Sequence, residues 1–461
     1  MELQRFEVPG LAHYSYAISG DGEAAIVDPK RDIDTYLDYA AASNLKITRI
    51  LETHIHADYA SGALELARAT GAELWLSKHD TGEDFEYAFP HREFGDGDEL
   101  RIGDLLVKAL YTPGHTPEHI ALVLHDLARS THPLAMLSGD FLFVGSLGRP
   151  DLLGEQAKRR LAEQLYDSVK HRIAALPDGV EVHPAHGAGS MCGSGMSDRP
   201  QSTLGYERLA NSFFAHTDRE QFVEHVLSTL PPFPPYYKRM KRVNSAGPKL
   251  LGGIPGAETL SPQAFRDLIQ KDGAVVIDVR RPESFGGAHI PGALNIGAGA
   301  MFAMWAAWVA PYDRPLLLVG DDGAYDGARR GLIRVGLDDV RGSLRGGMAA
   351  WIEAGFEQAH IPQISAAELR DRQARGAFVL DVRSDGEWHA GHIEGARHIM
   401  GGYLAERAGE LPKDQPIHVI CGSGYRSSIA TSVLRRAGFT DVIDVVGGMA
   451  AWNQQKFPVA S

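Results

Sequence analysis

Two stretches of the chain are near copies of each other. VVIDVRRPESFGGAHIPGALNI (275–296) aligns with FVLDVRSDGEWHAGHIEGARHI (378–399) at an offset of 103, and RGGMAAW (345–351) aligns with VGGMAAW (446–452) at an offset of 101. Two homologous units of roughly one hundred residues each therefore fill the C-terminal half. Each opens on an apolar strand that ends in Asp-Val-Arg and runs through a helical patch to a strand–loop–helix, as in LPKDQPIHVICGSGYRSSIATSVLRRAG (411–438). Strands that alternate with helices predict a parallel α/β sheet in each copy.

The repeat leaves roughly the first 245 of 461 residues for a separate domain. The segment LPPFPPYYKRMKRVNSAGPKLLGGIPG (230–256) is basic and punctuated by proline and glycine, so it reads as a linker. The expected division is 1–245, 246–360 and 361–461. Short apolar strands such as GEAAIVDP and ITRILETH, with helical patterns such as SGALELARATG, predict a mixed α/β layered fold for the first domain.

Charge and cysteine content narrow the setting. A net charge of −13 argues against a nucleic-acid surface, which needs concentrated Lys and Arg. Two cysteines, Cys192 and Cys421, are too few and too far apart for a disulfide framework, which points to a reducing, cytoplasmic setting. The N-terminus lacks a basic start followed by an apolar core, and no run approaches ~18 uncharged apolar residues, so neither a leader nor a membrane span is expected. The most apolar run, MFAMWAAWVA (301–310), predicts a helix that either packs inside or forms a contact in a homo-oligomer.

Residues with metal-binding chemistry cluster at the ends of apolar strands. ETHIHADYASG (52–62) offers His54, His56 and Asp58; YTPGHTPEH offers His115; LSGDFLFVG offers Asp140; VEVHPAHGAGS offers His183 and His186. A single loop histidine is usually solvated or structural. An H-x-H-x-D cluster followed by three further loops of this kind points to a metal. THIHAD, TPGHT, SGD and PAHG, in this order, resemble the metallo-β-lactamase superfamily across the whole first domain. The resemblance implies an αββα sandwich with metal between the sheet edges.

Binuclear hydrolases of that superfamily have histidine where this chain has Tyr59, and use it with Asp58 and His186 for a second ion. A phenol with a pKa near ~10 is a poor zinc ligand at neutral pH, so the second position should be empty or weak. His54, His115 and Asp140 remain. Two imidazoles and one carboxylate with open positions is the pattern of non-haem Fe(II) oxygenases. The persulfide dioxygenase branch of the superfamily is similar, which implies one Fe(II) per chain, with zinc as the alternative. His56, Asp58, Tyr59 and His186 would then shape the pocket and orient ligands.

The second constellation surrounds Cys421, in CGSGYRSS between an apolar strand and a helix. A glycine-rich loop there aims backbone N–H groups inward at a helix N-terminus. With Arg426, that geometry would stabilise a thiolate or an anionic persulfide. The C-x4-R-[ST] spacing and the upstream LDVRSDGEWHAGHIEGARHI resemble the rhodanese family. The resemblance implies Cys421 as the nucleophile and Gly422, Ser423, Gly424, Tyr425 and Ser427 as its sulfane-binding loop. The first copy reads LLLVGDDGAYDGARRG, with Gly320 or its neighbour at the place of Cys421. Without a thiol it has no nucleophile, so it reads as an inactive unit.

A metallo-β-lactamase-like domain followed by an inactive and an active rhodanese unit resembles the persulfide dioxygenase–rhodanese fusions. The implied activities are oxidation of a low-molecular-weight thiol persulfide by O2 to sulfite and free thiol, and sulfur transfer through Cys421 to give thiosulfate. The alternatives are a glyoxalase II-like zinc thioester hydrolase fused to a sulfurtransferase, or a non-enzymatic sulfur carrier. Arg149, in SLGRPD, is either a fork for a carboxylate or phosphate of the carrier thiol or a structural arginine. Cys192, six residues after His186, is either a sulfur relay or a small buried side chain.

Overall fold

The computed structural model describes residues 2–460, which divide into two compact units. The first extends to Gly253 and takes in Ile333–Gly336. One of its sheets orders β1 (Glu2–Val8), β2 (His13–Gly20), β3 (Glu23–Val27), β4 (Lys46–Leu51), β5 (Glu73–Ser77) and β6 (Arg92–Phe94) in sequence. The pairing is antiparallel from β1 to β3 and parallel from β3 to β6. Parallel neighbours need long crossovers, and the helices Asp34–Ala42 and Ala63–Thr70 supply two of them.

The second sheet uses β7 (Glu99–Ile102), β8 (Leu105–Tyr111), β9 (Ile120–Asp126), β10 (Ala135–Gly139), β13 (Glu181–Pro184) and β14 (Ser202–Thr203), in the order β14-β13-β10-β9-β8-β7. The pair β11 (Leu142–Phe143) and β12 (Ser146–Leu147) follows β10.

Side-chain alternation along the strands builds three cores. Ile18, Val27 and Leu51 face Val107, Leu122 and Leu137 between the sheets. Their neighbours Ala17, Ile26 and Ile50 turn outward to Tyr36, Ala40 and Leu66 on the first helical layer. On the other side Val123, Met136 and Val182 meet Leu165, Val169 and Phe222. This is the αββα layering, and burial on both faces explains why strands such as EAAIV read as unbroken apolar runs.

The second unit begins at Ile254 and contains both repeats. The first repeat orders its strands β15 (Thr259–Leu260), β19 (Val340–Leu344), β18 (Leu316–Val319), β16 (Val275–Asp278) and β17 (Leu294–Asn295). The second orders β20 (Gln363–Ile364), β24 (Val442–Val445), β23 (Ile417–Ile420), β21 (Phe378–Asp381) and β22 (Arg397–His398). The two orders are the same, and every pairing is parallel.

The repeated Asp-Val-Arg is a fold clip. Arg280 forks onto Asp278 and reaches the Ala288 carbonyl, while Arg383 forks onto Asp381 and reaches the Gly391 carbonyl. Each buried carboxylate is thereby paired, which a charge off the solvent requires.

One expectation is corrected and one alternative is decided. The 230–256 segment is no free linker: it holds the helix Tyr236–Ala246, part of the first unit. Its buried positions Tyr236, Tyr237, Met240, Lys241, Asn244 and Ser245 keep helical spacing, but three of the six are polar, which hides the apolar stripe. The run 301–310 forms the helix Phe302–Val309, with Phe302, Ala303, Trp305, Ala306 and Ala307 buried. Trp308 meets Tyr403 edge-on at 5.3 Å, so of the two places open to this run it takes the inside one, between the two repeats. Among the described residues no helix is long and apolar enough to cross a membrane.

Candidate metal centre and sulfur-transfer site

His54, His115 and Asp140 come together from three loops, and all three are fully buried. Asp140 Oδ2 lies 3.8 Å from His54 Nε2 and 3.5 Å from His115 Nε2. These three atoms have no hydrogen-bond partner. Three converging orphan ligand atoms in a buried site would be costly unless something fills the space between them, and a divalent cation fits that donor set.

The surroundings fix each ligand. Thr53 Oγ1 donates to Asp28 Oδ2 (2.9 Å), so its oxygen accepts from His54 Nδ1 (2.9 Å) and leaves Nε2 bare. His115 Nδ1 donates to the Arg149 carbonyl (2.9 Å), which leaves its Nε2 bare as well. Burial holds both imidazoles well below their ordinary range, in the neutral form that ligates. Asp140 is held by His119, whose Nε2 accepts from the Asp140 backbone N–H (3.0 Å) and whose Nδ1 then donates to Thr112 (2.9 Å). Gly139 must be glycine. Its φ is +55°, and a Cβ would overlap His119 Nε2. The sequence reading missed His119, although it lies only four residues beyond His115 in YTPGHTPEH.

The other pocket residues form a hydrogen-bonded layer. His186 bridges Asp140 Oδ1 (2.7 Å) and Asp58 Oδ2 (2.7 Å). Burial opposes its charge, but the two carboxylates win and raise its pKa well above the usual range. His56 Nε2 sits 3.1 Å from Asp28 Oδ1. The Tyr59 hydroxyl donates to the Asp28 carbonyl (3.1 Å), and burial raises its pKa well above normal, so it stays a neutral donor. His13, also missed, lies buried with its ring centre 4.0 Å from that of Tyr59 and neither ring nitrogen partnered. Asn244 buckles the loop, donating to the His56 and Tyr59 carbonyls (2.8 Å each) and accepting from Ser61 N–H (2.9 Å).

The structure also fixes the places of His183, Arg149 and Cys192. His183 pairs with Glu181 (2.9 Å), outside the ligand cluster. Arg149 presents no fork to a carrier: all five N–H donors are taken by Asp151 and by the carbonyls of Met191, Pro231 and Pro232. It staples loops behind His115, and the sequence could not show that because the partners are backbone groups from distant segments. Cys192 is buried beside the pocket, 3.8 Å from the Tyr237 hydroxyl, and burial raises its pKa well above normal. With Asp58 and His186 it forms a second group of ligand-type atoms.

Cys421 ends β23 and precedes the helix Tyr425–Arg436. The Gly424 N–H donates to its Sγ (3.1 Å), and Ser427 Oγ lies 3.5 Å from it. Gly424, at φ +107°, turns its N–H inward, as an L side chain would rarely allow. Ser423 is exposed at the mouth. The Tyr425 hydroxyl donates across to the Gly297 carbonyl of the first repeat (2.9 Å), and Ser428 bonds Asn295 there (2.6 Å). Arg426 acts on the thiol at a distance, since Cys421 is among the groups that raise its pKa. It forks onto Glu387 (2.6 Å twice) and pulls that carboxyl down to about 2, so its charge is shared with Glu387 and the backbone cradle contacts the sulfur. Its guanidinium lies against Gly422, where a Cβ would meet Nη2 at 2.9 Å.

In the first repeat the corresponding loop is filled. The Tyr325 hydroxyl accepts from Gly320 N–H (3.1 Å) and lies 2.8 Å from the Gly320 carbonyl and 3.1 Å from that of Leu344. A Cβ on Gly320 would overlap Val279. Gly320→Cys in a chain that also carries Cys421→Ser is therefore expected to leave thiosulfate-dependent sulfur transfer below about 1% of the parent rate, because a thiol without its cradle is not activated. Recovery of transfer would contradict the plugged-loop account.

Residues 8–186 match the family model of the metallo-beta-lactamase superfamily, and residues 261–354 and 365–455 match that of the rhodanese-like domain. A probable metallo-hydrolase of Burkholderia pseudomallei (strain 1710b) is 30% identical over 40% of this chain and 72% of its own length. A hydroxyacylglutathione hydrolase of Anaeromyxobacter dehalogenans (strain 2CP-C) is 33% identical over 45% of this chain and 74% of its own. Among solved structures, a metallo-beta-lactamase from Staphylococcus aureus subsp. aureus COL is 33% identical, with a TM-score of 0.66 over 75% of this chain and 98% of that one.

Proposed function

Since this chain belongs to the metallo-β-lactamase superfamily and carries two rhodanese-like domains behind that fold, we propose that it oxidises low-molecular-weight thiol persulfides to sulfite and passes sulfane sulfur through Cys421 to form thiosulfate. The observation that carries the first half is the trio of unpartnered atoms on His54, His115 and Asp140. Two imidazoles and one carboxylate with the remaining positions open suit one ferrous ion. Bound there, the iron supplies the redox chemistry with O2 that no side chain can perform.

The chain's own residues do the rest. Thr53 and the Arg149 carbonyl fix the ligand tautomers, His119 fixes Asp140, and His186 with Asp58 holds a proton against Asp140. One persulfide, one O2 and one water give one thiol and one sulfite. At Cys421 the thiolate takes the outer sulfur of a persulfide and releases thiol. Sulfite then attacks that sulfur, the S–S bond breaks, and Cys421 leaves as thiolate with thiosulfate as product. The sulfite made at one site is consumed at the other.

A thioester hydrolase is the second reading, favoured by the hydroxyacylglutathione hydrolase relatives and by the grouping of Asp58, His186 and Cys192 as a further ligand set. Tyr59 opposes it, because its hydroxyl is turned to the Asp28 carbonyl. Aerobic oxygen uptake with glutathione persulfide, set against anaerobic hydrolysis of lactoylglutathione, separates the two. Uptake without hydrolysis supports the dioxygenase, and hydrolysis without uptake overturns it. Tyr59→His should raise metal content from about one toward two ions per chain by restoring an imidazole, as elemental analysis would show. Unchanged stoichiometry would contradict this role for Tyr59.

A further inference from the structure

The first rhodanese-like repeat lacks a nucleophile, yet it helps to enclose the space beside Cys421. A cavity of about 160 Å³ is lined by Arg281, Pro282 and Glu283 of the first repeat, Gln363 of the segment between repeats, and Ser423, Gly424, Tyr425 and Asp444 of the second. Gly424 is the residue whose N–H donates to Cys421 Sγ, so the cavity borders the cradle of the reacting sulfur. It is smaller than the ~300–1,000 Å³ of drug-sized sites and suits a ligand of amino-acid size.

The charges around it are mixed. Arg281 stands at the rim with its side chain 85% exposed, 3.4 Å from Glu283. Asp444 lies at the wall, 1% exposed, and its Oδ1 has no partner. A buried carboxylate oxygen left unpaired is costly, and it marks a place where a cationic or hydrogen-bond-donating group is wanted. Burial also lifts the Asp444 pKa to about 6, against the Ser427 and Gln363 side chains that lower it, as expected of a carboxyl still short of a cationic partner. The first repeat has Ser343 at the matching position, 101 residues earlier, so the carboxylate is peculiar to the repeat that bears the thiol. A single-sign anion such as sulfite meets no consistent field here. A zwitterion does: a carboxylate for Arg281 and an ammonium for Asp444.

We propose that this cavity, built across both repeats, is the recognition site for the thiol partner of Cys421, and that it selects thiols bearing an α-amino-acid head through Arg281 and Asp444. The inference rests on Cys421 as the sulfur carrier. The transfer it serves is balanced without an external oxidant: the partner's thiolate attacks the outer sulfur of the Cys421 persulfide, a new S–S bond forms, the old one breaks, and Cys421 leaves as thiolate. The silent repeat then has a chemical task, supplying the arginine half of the recognition.

The test uses the full chain without oxygen, with thiosulfate as sulfur donor and three acceptors: cysteine, cysteamine (no carboxylate) and 3-mercaptopropionate (no ammonium), with rates expressed per thiolate. Cysteine should exceed each truncated thiol by about tenfold in kcat/KM, the size of one charge-assisted contact. Arg281→Ala should abolish the advantage over cysteamine, and Asp444→Ser the advantage over 3-mercaptopropionate, in both cases through KM. Arg281 is exposed enough that its variant tests the site even if Asp444→Ser fails to fold. Equal reactivity of the three acceptors with the parent protein overturns the proposal. Mass analysis of Cys421 after thiosulfate alone separates this from failure of the underlying reading: a gain of one sulfur with no acceptor preference sinks only the recognition site, and no gain of sulfur sinks both.

Discussion

Asp140→Ala is expected to empty the metal centre while leaving sulfur transfer at Cys421 intact. Asp140 gives the centre its carboxylate through Oδ2 and anchors His186 through Oδ1. Alanine removes a ligand and also strands His186 beside Asp58 alone. Loss of a partner one step removed from a metal already costs about 10–100-fold in affinity, so loss of the ligand itself should cost more. Bound metal should fall to below about one tenth of an ion per chain, and oxygen uptake with it. Cys421 belongs to a separate compact unit with its own core, so thiosulfate-dependent transfer should stay within about twofold of the parent. Elemental analysis and a transfer assay on one preparation check both halves. Full metal content in the variant, or collapse of transfer in a folded variant, would contradict the assignment.

Cys421→Ser is expected to have the opposite profile. A serine hydroxyl cannot carry sulfane sulfur, and the cradle formed by Gly424 N–H and Ser427 has no thiolate to hold. Transfer should drop by about a thousandfold or more. Oxygen uptake should persist, and the product should shift from thiosulfate to sulfite. Sulfite and thiosulfate quantified during turnover, with a no-enzyme control for spontaneous coupling, provide the measurement. Enzymatic thiosulfate at the parent level would show that the two sites do not act in sequence.

What was legible in the chain followed from local rules. The doubled unit announced itself because both copies must bury the same strands, down to the paired Trp351 and Trp452. The ligand loops were legible because metal chemistry restricts residue type and because each ligand follows an apolar strand. Groups whose partners are backbone atoms from remote segments were not legible. Arg149 could have been a fork for a ligand until its five donors were traced to Asp151 and three carbonyls. The helix Tyr236–Ala246 hid because Lys241 and Asn244, which serve Glu118 and the ligand loop, break its apolar stripe. His13 and His119 lay outside the recognised motifs, although burial makes them neighbours of Tyr59 and His54. Spacing places Arg426 near the thiolate, but it does not show that Glu387, from the upstream segment, takes both of its arms.

Metal content of the purified protein, paired with oxygen uptake on addition of glutathione persulfide, tests the central claim most directly. The account predicts about one iron per chain, held by His54, His115 and Asp140, and oxygen consumed in proportion to persulfide. Two zinc ions per chain with no oxygen uptake would contradict it and would make Asp58, His186 and Cys192 the ligands of a working second ion.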